Sequence, residues 1–262
     1  MSLFKELYQF KNTIISLAKN DFKNKYAGSY LGITWAFIQP LLTIVIYWFV
    51  FQVGFKTTPV DDVPFIIWFI CGIIPWFYFS ESLIGGTMSV VEYSYIVKKV
   101  MFNINILPLI KIIVSTFIHL FFVVLVLIIC FLVNLPITIH SIQIVYYSFC
   151  IFILALGLSY LTSSLVPFSK DVGQIVTIIL QFGFWLTPIV WNQNILSAKW
   201  LFFFKVNPSY YIVQGYRDAL VNKIWFWERP MSTVYFWIAT GVIFFLGRMI
   251  FKKLKPHFAD VL

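Results

Sequence analysis

The chain has 262 residues, of which 61% are hydrophobic and only 11% charged, with a formal net charge of +9. Its mean hydropathy is +0.89. A water-soluble domain needs more charge to cover its surface, so a soluble enzyme is excluded and a single polytopic membrane domain is expected. The positive balance is no nucleic-acid footprint, because the basic residues fall at the ends of apolar blocks and on no one face.

In chain order, residues 1–32 are charged throughout and no cleavable signal peptide is expected. Leu3, Leu7, Phe10, Ile14, Ala18 and Phe22 recur at helical spacing, opposite Gln9, Asn12, Ser16, Lys19 and Lys23. This pattern predicts an amphipathic helix lying in the membrane interface, followed by a linker. The remainder, 33–262, reads as a transmembrane domain of six helices, at 33–54, 64–84, 106–133, 142–166, 174–191 and 233–251. Pro40, Pro75 and Pro188 each interrupt a span and predict local kinks.

The connections carry the rest. An inner loop is expected at 85–105, an outer segment at 192–232 and an inner tail at 252–262. The outer segment holds apolar pieces too short to cross, broken at Asn207–Pro208, and predicts two short re-entrant or interfacial helices. With the N-terminus inside, thirteen of the nineteen lysines and arginines fall on the inner side, so both termini are expected to be cytoplasmic. The fold class is therefore all-α and polytopic, with six transmembrane helices, an N-terminal interface helix and short helices before the last span.

Several chemistries have no support. No G-x-x-x-x-G-K-[ST] phosphate loop, H-E-x-x-H or G-x-S-x-G motif occurs. Cys71, Cys130 and Cys150 lie inside apolar runs without metal spacing and read as packing residues. His119 lies mid-span and reads as a hydrogen-bonded packing residue. Glu81, near the inner end of the second span, is expected to pair with a lysine.

Two faces are candidate channel linings. Tyr47, Trp48, Phe51 and Phe55 share roughly one side of the first span, where aromatic rings can stack on sugar C–H faces. Gln174, Thr177, Gln181 and Trp185 form a mixed polar stripe on the fifth. Polar groups facing lipid are costly, so that stripe should face protein or a pore.

The segment DFKNKYAGSYLGITWAFIQPL (21–41) resembles the lead-in of ABC-2-type polysaccharide-exporter permeases, which serve O-antigen and teichoic-acid export. VKKVMFNINILPL (97–109), SKDVGQIVTIILQFGFWLTPIVW (169–191), NPSYYIVQGYRDAL (207–220) and KKLKPHFADVL (252–262) resemble, in order, their inner loop, fifth helix, outer gate segment and tail. The chain carries Asn20–Asp21 and Phe102–Asn103 where the family pattern has Arg-Asp and Phe-Pro.

The resemblance implies two permease copies joined to two copies of a separate ATPase subunit, which would hold ATP and Mg. No cofactor is expected in this chain, and no nucleic-acid partner. The cargo would be an undecaprenyl-diphosphate-linked glycan or polyol-phosphate polymer, moved outward across the bacterial plasma membrane. It further implies ATPase coupling through Asp21, Lys23, Lys25, Lys98, Lys99 and Phe102, and an outer gate at Tyr210, Tyr211, Arg217 and Asp218, where Arg217 and Asp218 read equally as a salt bridge that holds the gate and as a plain surface pair. The lysines can also set topology and bind anionic lipid. A drug or small-molecule exporter on the same plan and a non-transport scaffold are the competing readings.

Overall fold

The structure, a computed structural model, describes residues 10–59, 63–99 and 103–262. The fold is all-α. Helix α1 (Lys11–Lys25) is followed by α2 (Trp35–Trp48), which a wider π turn extends through Phe49–Gly54. Then come α3 (Phe65–Glu92), α4 (Ser94–Lys99), α5 (Leu107–Leu132) and α6 (Gln143–Leu165). Helices α7 (Asp171–Leu186), α8 (Ala198–Lys205), α9 (Pro208–Arg217), α10 (Pro230–Leu254) and α11 (Phe258–Val261) complete the chain.

Five stretches are long and apolar enough to cross a membrane: Gly32–Gly54, Phe65–Glu92, Ile104–Leu132, Ile139–Leu165 and Pro230–Val261. The sixth apolar helix, α7, has 16 residues and rises roughly 24 Å, short of a ~30 Å hydrocarbon core. The sequence placed this span at 174–191. It stops earlier because Pro188 disfavours helical geometry at the residue before it, and Thr187 is extended (φ −98°, ψ 133°). Pro40 and Pro75, by contrast, sit inside continuous helices.

The second span overruns its expected end by about two turns. The helix runs on because Gly86, just past that end, is a packing residue. A Cβ on Gly86 would lie 2.1 Å from Ser159 Oγ, so α3 and α6 approach to a distance only glycine allows. The expected 85–105 loop is correspondingly short, and α4 follows almost at once.

Four helices form the core. Helix α3 packs against α5 and α6, and α10 packs along α6. Gly157 and Gly247 meet where α6 and α10 cross, and a Cβ on Gly247 would sit 2.3 Å from the Gly157 carbonyl oxygen. Side-chain hydrogen bonds join the elements: His119 Nε2 lies 2.8 Å from Tyr216 Oη and 3.0 Å from Ser148 Oγ, linking α5, α9 and α6. His119 is thus the hydrogen-bonded packing residue its position suggested. The three cysteines are buried free thiols.

Helices α2 and α7 are attached more lightly, leaning on α3 and leaving apolar faces open. Helix α1 lies across the start of α5, burying Ile14 and Ala18 while its lysines stay outward. The expected amphipathic face is therefore present over 11–25, and its N-terminal part, 2–9, lies outside the described residues.

Gly247→Ala should destabilise the protein by about 1–3 kcal/mol, because the added methyl meets backbone that cannot step aside. Gly241→Ala, on the same helix with nothing within 4 Å, should be neutral or slightly stabilising. Thermal unfolding of the two variants in one detergent compares them directly.

Candidate functional site

The two polar ends of the bundle are built differently. At one end, α9 is a short helix that enters the bundle against α3, α6 and α10. Asn207 caps it, its side chain accepting from Ser209 N–H at 3.0 Å, and Pro208 occupies the first turn where its missing donor costs nothing. Gly215 lets α9 lie flat on α6, since a Cβ there would be 2.1 Å from the Tyr147 ring. Helix α8 before it remains exposed, with Trp200, Phe202 and Phe203 on its surface. The pair fits the expectation of short re-entrant or interfacial helices.

Arg217 closes α9 and is only 2% exposed. Its guanidinium donates to the carbonyls of Pro188 (2.6 Å), Ile189 (3.0 Å) and Trp68 (3.4 Å). Its central carbon lies 3.4 Å from the centre of the Trp68 ring. Gly72 makes room for it, because a Cβ there would stand 2.8 Å from Nη2. The Pro188 and Ile189 carbonyls belong to the segment where α7 has ended, so the arginine caps backbone that helix geometry leaves unpaired.

Asp218 is also buried, and its salt bridge is with Arg229 Nε at 2.8 Å. Gln214 and Asn222 donate to the same carboxylate. The two residues expected to form one gate pair therefore head two neighbouring networks. Tyr210 donates to Gln193. Tyr211 bonds Tyr146 (3.1 Å) and Thr233 (2.9 Å) and stacks on Phe236. All four outer-gate candidates thus fall within one buried cluster.

At the opposite end, the Lys111 ammonium lies 2.7 Å from Asp21 and 2.5 Å from Glu92, tying α1, α3 and α5 together. Lys111 is 12% exposed. Tyr93 donates to Asp21 at 3.0 Å. Lys25 pairs with Glu81 at 2.5 Å, the partner type expected for that glutamate. Burial pushes the Lys25 ammonium down, but the Glu81 carboxylate more than offsets this and raises it above the ordinary lysine value.

Of the coupling candidates, Asp21 and Lys25 enter these ion pairs and Lys23 stays exposed. The side chains of Lys98 and Lys99 and all of Phe102 lie outside the described residues. Sequence reasoning counted Lys111 only as a topology marker. Its partners Glu92 and Asp21 are 19 and 90 residues away, and only the fold brings them together.

The lining candidates divide. Tyr47 and Phe51 turn toward α3, with ring centres 5.5 Å from Phe69 and Phe65 respectively, and Tyr47 also meets Phe184 of α7. Trp48 and Phe55 are exposed. On α7, Gln174 and Gln181 are exposed, Thr177 is half-buried and donates to the Gly173 carbonyl, and Trp185 is 56% exposed.

Between α1, α2, α3 and α5 lies an open cavity of about 680 Å³, with Trp35, Pro40 and Phe77 on its walls. A smaller one of about 340 Å³, between α3 and α7, includes Gln174, Thr177 and Lys170 and shares Ile84 and Met88 with the first. The two run along one face of α3.

Such a bundle of long apolar helices is that of a multi-pass membrane protein. The chain belongs to the ABC-2 type transporter family, which it matches over residues 12–221. It is a transporter's membrane subunit, working with a partner ATPase, and not an enzyme. An O-antigen export system permease protein RfbA from Klebsiella pneumoniae is 26% identical over 95% of this chain and 94% of its own length. A second protein of that name from the same organism is 24% identical over 95% and 94%. One from Myxococcus xanthus is 26% identical over 98% of both chains.

Arg217→Ala should cost about 3–5 kcal/mol, since it removes a buried charge and strands the carbonyls it caps. Folded yield and thermal midpoint in detergent measure this, with Arg217→Lys falling between. Lys111→Met should leave the bundle folded but free α1, seen as faster tryptic cleavage at Lys19 and Lys23.

Proposed function

We propose that two copies of this chain, paired with two copies of a separate ATPase that holds ATP and Mg, export a lipid-linked cell-envelope polymer. The cargo is an undecaprenyl-diphosphate-linked polysaccharide of the O-antigen type or a teichoic-acid-type polymer. It moves outward across the bacterial inner membrane, and both termini are cytoplasmic. The O-antigen export names carried by relatives that align over nearly their whole length support the cargo class.

The single observation that carries the reading is the open polar face of α7. Gln174 and Gln181 are exposed on a helix whose other exposed residues include Ile175, Ile178, Ile179 and Phe182. Amides facing hydrocarbon lose their hydrogen bonds at a cost of several kcal/mol each. A water-filled path or a second copy against α7 relieves that cost, and with α2 equally open the two helices are the natural walls of a channel between copies. The exposed Trp185, Trp48 and Phe55 then offer flat surfaces on which sugar rings slide without directional bonds.

Coupling follows the other end. ATPase motion transmitted to α1 reaches the spans through the Asp21–Lys111–Glu92 and Lys25–Glu81 pairs. A free scaffold role leaves the open glutamines unexplained.

Trp185→Ala is expected to slow polymer export several-fold in vesicles reconstituted with the ATPase, while assembly and ATP turnover stay near normal. Unchanged export removes α7 as a channel wall. Gene deletion checks the whole reading: lipid-linked polymer should accumulate on the cytoplasmic side of the inner membrane.

A further inference from the structure

The two cavities along α3 carry a charge pattern that bears on what polymer passes them, and the inference rests on the export reading above. The larger cavity is bordered by three carboxylates, Asp21, Glu81 and Glu92, and by two ammonium groups, Lys25 and Lys111. Both lysines are committed, Lys25 to Glu81 and Lys111 to Asp21 and Glu92. The border is therefore net negative by one charge. Among the described residues, Lys170 on the smaller cavity brings the pair to balance, with no excess of cations.

The uncharged polar lining is of another kind. Asn24, Gln39, Thr43 and Ser80 face the larger cavity, and Gln174 and Thr177 the smaller. The Thr43 hydroxyl donates to the Gln39 carbonyl at 3.0 Å and the Ser80 hydroxyl to the Phe77 carbonyl at 3.2 Å, which leaves their oxygens able to accept. Amides supply both donors and acceptors. A cavity of about 680 Å³ with aromatic walls and such groups lies in the size range of ligand pockets.

We infer that these cavities form the α1-side mouth of the transport path and select a neutral, hydroxyl-rich glycan over a polymer carrying a phosphate in each repeat. Sugar hydroxyls exchange hydrogen bonds with the amides and hydroxyls, and sugar faces stack on Trp35 and Phe77. The diphosphate at the lipid end is common to both cargoes, so the discrimination acts on the repeats, and a phosphodiester in each repeat needs a cation or a converging set of N–H donors to replace its water. At the larger cavity it meets two lysines already paired and a carboxylate in excess, with Lys170 of the smaller cavity the one further ammonium among the described lining residues, so each repeat must break an existing ion pair or pass a like charge there.

The test uses the permease co-purified with its ATPase and placed in liposomes. Two polyprenyl-linked probes of matched length are supplied, a neutral polymannose and a poly(glycerol phosphate), and ATP-dependent transfer across the bilayer is followed for each. The wild type should move the neutral probe at least tenfold faster. Gln39→Lys with Thr43→Lys, one turn apart on α2 and outside the ion pairs assigned to coupling, turns the border from −1 to +1. It should bring the ratio below threefold by raising the phosphate probe's rate. Gln39→Lys alone should give an intermediate ratio.

Comparable rates for both probes in the wild type overturn the selectivity while leaving export standing. A ratio unmoved by the double substitution in a normally assembled, ATP-hydrolysing complex overturns it as well. Transfer of neither probe during ATP turnover brings down the export reading, and this inference with it.

Discussion

Backbone carbonyls that leave a helix inside a membrane must find a donor, and much of this fold answers to that constraint at one place. Helix α7 ends at Leu186 because Thr187 precedes a proline, and the chain then runs irregularly toward α8. Arg217 supplies the donors for Pro188 and Ile189 from a different helix. To hold the guanidinium there, α9 must enter the bundle, Gly72 must lack a side chain and Trp68 must offer its ring face. Pro188 sets the short span, and the re-entrant helix and the glycine on α3 are then fitted to the one buried charge that answers it.

The opposite end solves a different problem with more exposed charges. Lys111, Asp21 and Glu92 bring three helices together where water still reaches, so each pair contributes modestly and none needs the full enclosure given to Arg217. A tie of this strength can be loosened by a force on α1 without unfolding the core. Helices α3, α6 and α10 are locked by close glycine contacts and α5 packs along α3, whereas α2 and α7 lean on the core through aromatic rings. Stiffness and mobility are therefore sorted by element: the core holds shape, and the lightly attached helices and the lashed interface helix are the parts free to shift.

Much of this was legible in the sequence and some was not, for physical reasons. Long apolar blocks revealed every span, since hydropathy reports the environment of a whole helix. The break at Asn207–Pro208 correctly announced two short helices, because a cap and a proline act locally. The second span was placed to end at residue 84, where the run of large apolar residues stops, and that α3 continues past Gly86 depends on its close crossing with Ser159, which only the fold brings near. Pro188 did reveal an interruption, but not that the helix stops there. Arg217 was seen as half of a pair with its neighbour Asp218, since adjacency in sequence cannot show that the carboxylate turns to Arg229. Lys111 carried no signal beyond its charge, as both its partners arrive through folding.

The asymmetry between the ends also bears on direction. A single α7 of 16 residues does not bridge the hydrocarbon alone, so its irregular continuation lies at membrane depth. Such backbone is tolerated only when buried in protein or beside water, and here both conditions meet. Arg217 and α9 cover one side of the segment. The other side continues the exposed face of Gln174, Gln181 and Trp185, which lipid solvates poorly. Water beside α7 is the arrangement that satisfies helix and extension together. On the proposed reading of α7 as a channel wall, the place where the fold needs its buried arginine and the place where polar cargo would find a path are two faces of the same short helix.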